Sequence, residues 1–383
     1  MEPVRRAVID VGTNSIKLLV ADVAGRDVQP VHEESRQTRL GRGFYETHRL
    51  QMEAIAYSAN AVADFARTAR QHGARSIRVI ATSAARDAVN PGDLISAIEA
   101  AAGLKIEIIS GGQEAGLAFQ GVTTDPELAQ APLLLLDVGG GSTQFILGRG
   151  ERTYFAHSFQ FGSVRLLEKF PHSDPPTRGE FTACRDWIGK LLRDEVRPGL
   201  EPALRRESGS KREHPRTAPV FSLASPKGGD GRGEEAQGLT AQIPSPSILR
   251  SSATAEDGHP SPRSGGEREM GAVSRCAGFQ PGEIQLVGTG GTTSILARME
   301  AKLDRYDRAR MESTRLSLEQ VKAHRKRLWS LPLAERKEII GLPKLRADVI
   351  LTGVVIYEVV MEEFGFKLLR VSTRGLRFAA VMD

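Results

Sequence analysis

This 383-residue sequence predicts an α/β fold in two domains, with mixed sheets flanked by helices and a cleft between them. Three stretches carry the prediction. The first is Leu133 to Gln144, where four leucines follow Pro132 and lead into Asp137, three consecutive glycines (Gly139 to Gly141) and Ser142-Thr143-Gln144. Four apolar residues are too few for a helix and read as a strand covered on both faces; Phe145-Ile146-Leu147-Gly148 reads as its return strand. The second is Ala7 to Ser15, again apolar strand, acid (Asp10) and small polar turn (Gly12-Thr13-Asn14-Ser15), followed by the apolar run Ile16 to Val20. The third is Ile284 to Thr293, whose strand tip lacks an acid and whose turn, Gly288-Thr289-Gly290-Gly291-Thr292-Thr293, opens a helix over Ser294 to Glu300.

Glycines at a strand tip leave no Cβ between the backbone and whatever approaches it. Successive free N–H groups there form a nest of anion size, which a phosphate fits. A glycine-rich turn that binds nothing explains any one of these stretches equally well. Their ordered recurrence is what favours a cleft with a phosphate loop on each wall, Gly12 to Ser15 facing Gly139 to Thr143, and Gly288 to Gly290 closing a side. Two aspartates facing each other across such a cleft, Asp10 and Asp137, suit a hydrated Mg²⁺.

Composition sets outer bounds. With 40% hydrophobic and 26% charged residues the chain can build two ordinary domains with real cores. No run of about 18 apolar residues is present, so no transmembrane helix and no membrane partner are expected. Met1 to Arg6 lead straight into the first strand, and no signal peptide is expected. Cys184 and Cys276 are far apart and without a partner motif, which suits two reduced thiols in the cytoplasm. The net charge of +5 suits a polyanionic ligand, though solvated surface accounts for it as easily.

In chain order, residues 4–32 read as a strand, the first hairpin, and two further strands; Arg36 to Gly43 is a basic loop. Leu50 to His72 is helical by the spacing of Ile55, Ala61, Val62 and Phe65. Ser76 to Ala81 is a strand that ends at Thr82-Ser83, before a helix carrying Arg86. An arginine there either forks onto phosphate oxygens or pairs with Asp87 or Asp93. Lys105 to Ile109 is a strand that breaks at Ser110-Gly111-Gly112, and Gln113-Glu114 open a helix. Glu114 either complements that helix dipole or serves as a base. Arg178 to Val196 is an amphipathic helix expected to end at Pro198. Residues 206–281, rich in Ser, Gly, Pro and charge, read as a disordered insertion. Beyond it, Ser317 and Gln320 suit a capping box for a helix to Leu328 that carries His324, expected on the surface. A helix from Arg346 to Glu363, a strand at Leu368 to Ser372 and a last helix at Arg374 to Arg377 complete the chain.

Six of these segments together resemble the exopolyphosphatase / guanosine pentaphosphate phosphatase (Ppx/GppA) family, within the actin–Hsp70–sugar kinase superfamily. They are Ala7–Ser15, Ala81–Asn90, Ile108–Ala115, Leu136–Thr143, Gly288–Thr293 and Arg374–Arg377, in family order and spanning nearly the whole chain apart from the insertion. The resemblance implies two ribonuclease-H-like domains in the short form of the family: domain I at 1–124, with residues 365–383 returning to it, and domain II at 125–364. It implies Mg²⁺-dependent hydrolysis of a terminal phosphoanhydride, with inorganic polyphosphate as first-choice substrate and guanosine pentaphosphate (pppGpp) as second. Glu114 would be the catalytic base and Arg86 would neutralise developing charge. Asp137, helped by Asp10, would hold the metal. Arg165, in Phe161 to Leu166, either lines the path of a polyanion or pairs with Glu168. A homodimer is common in the family.

Two departures stand out. The residue after Glu114-Ala115 is Gly116 where the family usually has arginine, and Gln144 stands where it usually has glutamate. A sugar or acetate kinase shares the glycine loops but fits Ser110 to Ala115 and Arg374 to Arg377 less well. A non-catalytic polyphosphate or alarmone sensor rests on Gln144 alone. A nucleic-acid module is disfavoured, because the basic residues are spread without aromatic interleaving or a helix-turn-helix pattern.

Overall fold

The computed structural model describes residues 2–209 and 284–383. The expected insertion therefore lies outside the described residues from 210 to 281, while its first residues, 206–209, continue a helix. Among the described residues no helix is long and apolar enough to cross a membrane.

Two mixed sheets repeat one plan. In the first, β1 (Val4–Val11), β2 (Ile16–Ala24) and β3 (Asp27–Arg36) form an antiparallel meander, and β4 (Ser76–Ala81) and β5 (Ile106–Ile108) add in parallel, in the order β3-β2-β1-β4-β5. In the second, β6 (Leu133–Val138), β7 (Thr143–Arg149) and β8 (Arg152–Phe159) form the meander. The strands β9 (Gln285–Thr289) and β11 (Leu368–Val371) add in parallel, with β10 (Arg315–Ser317) antiparallel at the edge, in the order β10-β11-β9-β6-β7-β8. Long apolar strands in the middle of each sheet are covered on both faces, as Leu133 to Leu136 predict; all four are fully buried.

Each lobe has its own core. Ile55, Val62 and Phe65 of the helix Met52–Gln71 pack on Ile9, Leu18 and Val20 of the first sheet. In the second lobe Val354, Val355 and Val359 of the helix Ile350–Phe364 pack with Leu134, Leu136 and Phe145. A third cluster joins the two. Val8, Leu19 and Ile80 from one sheet meet Leu133, Leu135, Ile146 and Val287 from the other, with Ala115, Ala118 and Phe119 of the helix Gly111–Val122 and Phe378 and Val381 near the C-terminus between them. The helices Gly111–Val122 and Leu376–Ala380 approach so closely that a Cβ on Gly121 would collide with the Gly375 carbonyl.

One helix differs from expectation. The segment starting at Arg178 does not stop at Pro198 but runs on as Arg178–Leu191, a π turn at Leu192–Val196 and a helix Arg197–Gly209. The π turn bonds the Arg197 N–H to the Leu192 carbonyl and resets the register. Pro198 then falls in the first turn of the new segment, where a missing N–H costs little.

Candidate active site

The two aspartate-bearing hairpins are built alike. β1 and β2 pair up to Val11 and Ile16, and β6 and β7 up to Val138 and Thr143. The turns between close with Gly12 N–H on Ser15 O (3.2 Å) and Gly139 N–H on Ser142 O (3.0 Å). A Cβ on Gly12 or on Gly139 would sit 3.0 Å from that serine carbonyl, a tight approach that glycine avoids. The helix Ser163–Lys169 then fixes the second loop from behind. Its first amides bond to carbonyls of the loop, Ser163 N–H to Gly139 O (3.0 Å) and Val164 N–H to Gly140 O (2.8 Å). With those carbonyls tied back, the loop presents its N–H side to the cleft.

The tips of the two hairpins touch. A Cβ on Gly140 would lie 3.0 Å from Thr13 Cβ, and one on Gly141 would collide with Ser83 Oγ and Tyr45 Oη. Between the walls lies a cavity of about 80 Å³ lined by Asp10, Gly12 to Ser15, Lys17, Ser83, Glu114, Asp137, Gly139 to Ser142, Gln144, Gly291 and Arg346. A larger cavity, about 240 Å³, adjoins it past Asp10, Lys17 and Asp137 and is lined by Thr289, Gly290, Ile295, Arg298, Tyr306, Leu376 and Phe378.

Most of the sequence-predicted residues therefore meet in one place. Gly12, Thr13, Asn14 and Ser15 face Gly139, Gly140, Gly141 and Ser142, with Asp10, Asp137 and Glu114 between them. Three predictions need correction. Thr143 belongs to β7, and its hydroxyl is spent inside the lobe on the Phe161 carbonyl (2.6 Å). Gly288 is a buried β9 residue between Leu136 and Val371 and lines neither cavity, so the third loop meets the cleft through Gly291 and Thr292 instead, with Thr289 and Gly290 on the adjoining cavity. Arg86 does not line the cleft. Its Nη1 donates to Glu114 Oε2 (3.0 Å) and to Ile109 O (3.1 Å), behind the acid.

Glu114 sits in the first turn of the helix Gly111–Val122, which Ser110 and Gln113 cap reciprocally. It is 8% exposed. Burial pushes its carboxyl up to about 7, against the pull of Arg86, and Asp137 and Asp10 add to the rise. Burial likewise lifts Asp137 to about 6, opposed by Lys17, and raises Asp10, opposed by Lys17 and Arg377.

The sequence reading missed two cations. Lys17 pairs with Asp10 in the β1/β2 register, the place that Gln144 takes beside Asp137 in β6/β7. Burial lowers its ammonium pKa against the attraction of Asp10 and Asp137. Arg346 reaches the cleft from the far lobe, donates to Ser15 Oγ (3.2 Å), and is brought down to about 10 by burial. A charged strand residue beside an acid was a readable signal for Lys17. Arg346 had none, since tertiary packing alone brings it in.

Neighbouring polar groups are arranged as follows. Asn14, which lines the cavity, has its Nδ2 buried without a protein partner among the described residues. The Gln144 amide bridges Ser142 Oγ (2.8 Å) and Ser158 Oγ (3.0 Å). His324, expected on the surface, is half-buried on Glu300 (2.8 Å). Arg165 neither lines the cleft nor pairs with Glu168. It stacks on Tyr45 and binds Asp87, because Glu168 is taken by the Gly43 and Tyr45 amides.

As to a divalent cation, the described residues contain no group of three acids, histidines or cysteines close enough to cage one. Two carboxylates at strand tips above phosphate-binding amides are the donor set that Mg²⁺ uses when ligand phosphates and water supply the rest. The chemistry of these residues fits such an ion, which Asp137 and Asp10 would hold.

Comparison with known proteins agrees with this geometry. Exopolyphosphatase 2 of Mycobacterium tuberculosis is 42% identical over 212 residues, which are 52% of this chain and 63% of that protein. The matched part thus falls short of two thirds of that relative's length. A crystal structure of an exopolyphosphatase-like protein aligns with 100% of this chain and 98% of its own at 25% identity and a TM-score of 0.73. An exopolyphosphatase from Cytophaga hutchinsonii, at 22% identity, TM-score 0.71 and coverage of 98% and 96%, shows the same fold. The Ppx/GppA phosphatase family profile matches residues 19–208 and 269–382, and the chain belongs to that family.

Proposed function

We propose that the protein is a Mg²⁺-dependent exopolyphosphatase, which removes the terminal phosphate of inorganic polyphosphate as orthophosphate. The observation that carries this reading is Glu114: a buried carboxylate tuned to about 7, opening onto a cavity walled by two phosphate loops. Its Oε2 is held by Arg86, which leaves Oε1 for a water. The amides of Gly12 to Ser15 and Gly139 to Ser142, the Asn14 amide and the Lys17 and Arg346 cations would bind the terminal phosphates. Glu114 takes a proton from the in-line water as its oxygen bonds to the terminal phosphorus. The bridging P–O bond then breaks, and the shortened chain leaves as the anion. A cation at Asp137 and Asp10, when bound, supplies charge neutralisation for the phosphate oxygens.

Guanosine pentaphosphate is the second reading. What favours it is the adjoining cavity of about 240 Å³, whose walls Tyr306, Phe378, Ile295 and Leu376 are of the kind a purine stacks on. A cytoplasmic setting and a homodimer belong to the same proposal. The buried, unpaired thiol of Cys184 suits a reducing compartment.

Phosphate release with Mg²⁺ from long-chain polyphosphate and, in parallel, from guanosine pentaphosphate tests both, with wild type and Glu114→Gln. Loss of the base is expected to slow release about 10²–10⁴-fold. Preference for the nucleotide would move the reading to the alarmone. A folded protein that binds polyphosphate and releases nothing would be a sensor.

A further inference from the structure

The helix Ser163–Lys169 belongs to the second lobe, yet two of its charged side chains grip the first. Glu168 accepts the Gly43 N–H (2.7 Å) and the Tyr45 N–H (3.2 Å). Arg165 lies over the Tyr45 ring, 4.2 Å from its centre, and donates through Nη2 to Asp87 Oδ2 at 2.8 Å. The same guanidinium donates through Nε to the carbonyl of Gly141 (2.9 Å), and the Arg165 amide binds the Gly140 carbonyl (3.1 Å). Arg165 is thus tied at once to the phosphate loop of its own lobe and to a carboxylate of the other.

That carboxylate is next to Arg86. Asp87 Oδ1 lies 3.6 Å from Arg86 Nε, and Arg86 Nη1 binds Glu114 at 3.0 Å. Arg86 therefore has one acid on each side, Asp87 towards the second lobe and Glu114 towards the cleft. The four side chains are between 11% and 19% exposed, so their attractions are little screened by solvent. The position of the Arg86 guanidinium is set by both carboxylates together with the Ile109 carbonyl, and the shortest side-chain contact to Asp87 is that of Arg165, the Ser83 hydroxyl lying farther off at 3.4 Å.

We infer that Arg165 is a positioning residue for the hydrolytic step: it couples the phosphate loop Gly139 to Ser142 to Glu114 across the cleft, through Asp87 and Arg86. The inference rests on the reading of Glu114 as the base. A phosphate seated in the loop fixes Gly140 and Gly141, these fix the Arg165 guanidinium, and the Asp87–Arg86 pair then holds the Glu114 carboxylate with Oε1 towards the water. With the lobes apart, or the loop displaced, Asp87 loses Arg165 and keeps the long Ser83 hydroxyl contact (3.4 Å), so it draws Arg86 more strongly, against the Ile109 carbonyl and Glu114. Water attack is thereby tied to an occupied loop. A misplacement of about 1 Å in a reacting group costs on the order of 10²-fold in rate, which sets the scale of what Arg165 protects.

The experiment measures kcat and KM for phosphate release from polyphosphate in Arg165→Ala and Asp87→Asn, each alone, together, and combined with Glu114→Gln. Polyphosphate affinity is measured in the Glu114→Gln background, and circular dichroism and thermal melting report the fold. Either single substitution is expected to lower kcat roughly 10–100-fold while affinity changes little, and the double variant to be no slower than the worse single. In the Glu114→Gln background neither is expected to slow the residual rate further, because a residue that acts through Glu114 has nothing left to act on. Asp87→Asn is close to isosteric and carries the test if Arg165→Ala does not fold. An unchanged kcat, a loss confined to KM, or the same fold-loss with and without Glu114 would each overturn the inference. If Glu114→Gln were itself as fast as wild type, the base reading would fall instead, and the two failures are told apart by that one variant.

Discussion

Replacing Glu114 by glutamine should stabilise this protein at alkaline pH while disabling it. The carboxyl is raised in the folded chain from an ordinary 4.5 to about 7, burial outweighing the help of Arg86. The folded state therefore holds the proton more tightly than the unfolded one. Below about pH 4.5 both states are protonated and Glu114 costs nothing; as pH rises through the interval up to about 7 the unfolded chain ionises first and stability is lost. At about 1.4 kcal/mol per pKa unit, the full interval amounts to about 3 kcal/mol. Glutamine mimics the protonated acid, so the Gln variant escapes this loss. Asp10 and Asp137 are raised by burial too and weaken wild type and variant alike. Removing the nearby charge also relieves their ionisation, which works in the same direction. The assay is urea unfolding of wild type and Glu114→Gln at pH 4.5 and pH 8.5, free of divalent cation and phosphate. A stability gain of about 2–3 kcal/mol at pH 8.5 that shrinks towards zero at pH 4.5 is expected. A gain equal at both pH values, or a variant less stable at pH 8.5, would refute the reasoning.

Two further outcomes follow from the same geometry. With Glu114 as the proposed base, the profile of kcat/KM against pH should rise from the acid side with an apparent pKa near 7, and Arg86→Met should move that limb upwards by removing the charge that opposes burial; steady-state phosphate release across pH 5–9 reads both. Gly141→Ala would place a methyl against Tyr45 and Ser83 of the facing lobe. Overpacking of this kind typically costs about 1–3 kcal/mol, and because it forces the two phosphate loops apart, release should fall more than thermal stability does.

The sequence made the hairpins legible because their signal is local. Leu133 to Leu136, four apolar residues after a proline, read as a covered strand, and the recurrence of an acid and glycines at a strand tip favoured an anion site where one such turn alone did not. The place of Glu114, just past the break at Ser110-Gly111-Gly112, was legible from the residues, while its role as base came only from the family resemblance. Side-chain direction was not legible. Arg86 has a sequence place suited to phosphate but turns its Nη1 to Glu114 and Ile109. Thr143 lies one residue beyond a turn that Ser142 closes, and the strand alternation turns its hydroxyl inward to Phe161. Gly288 looked like a loop glycine because the run Gly288 to Gly291 hides where β9 ends. Arg346 sits in a short 3₁₀ turn that nothing local marks as part of a cleft. The expected stop at Pro198 failed because a π turn shifts the register just before it.

The close approach of Gly121 and Gly375 has a consequence for how the chain is made. The helix Leu376–Ala380 is made long after the first sheet, yet it completes the apolar layer shared by Val8 and Ile80 of the first sheet and Leu135 and Val287 of the second. During synthesis the first lobe thus waits, its inner face uncovered, for a partner more than 250 positions later in the chain. Contacts of such sequence separation form slowly, and apolar surface left open in the interval is prone to aggregate. Removal of residues 376–383 would act in the same way, uncovering part of the apolar layer between the two lobes.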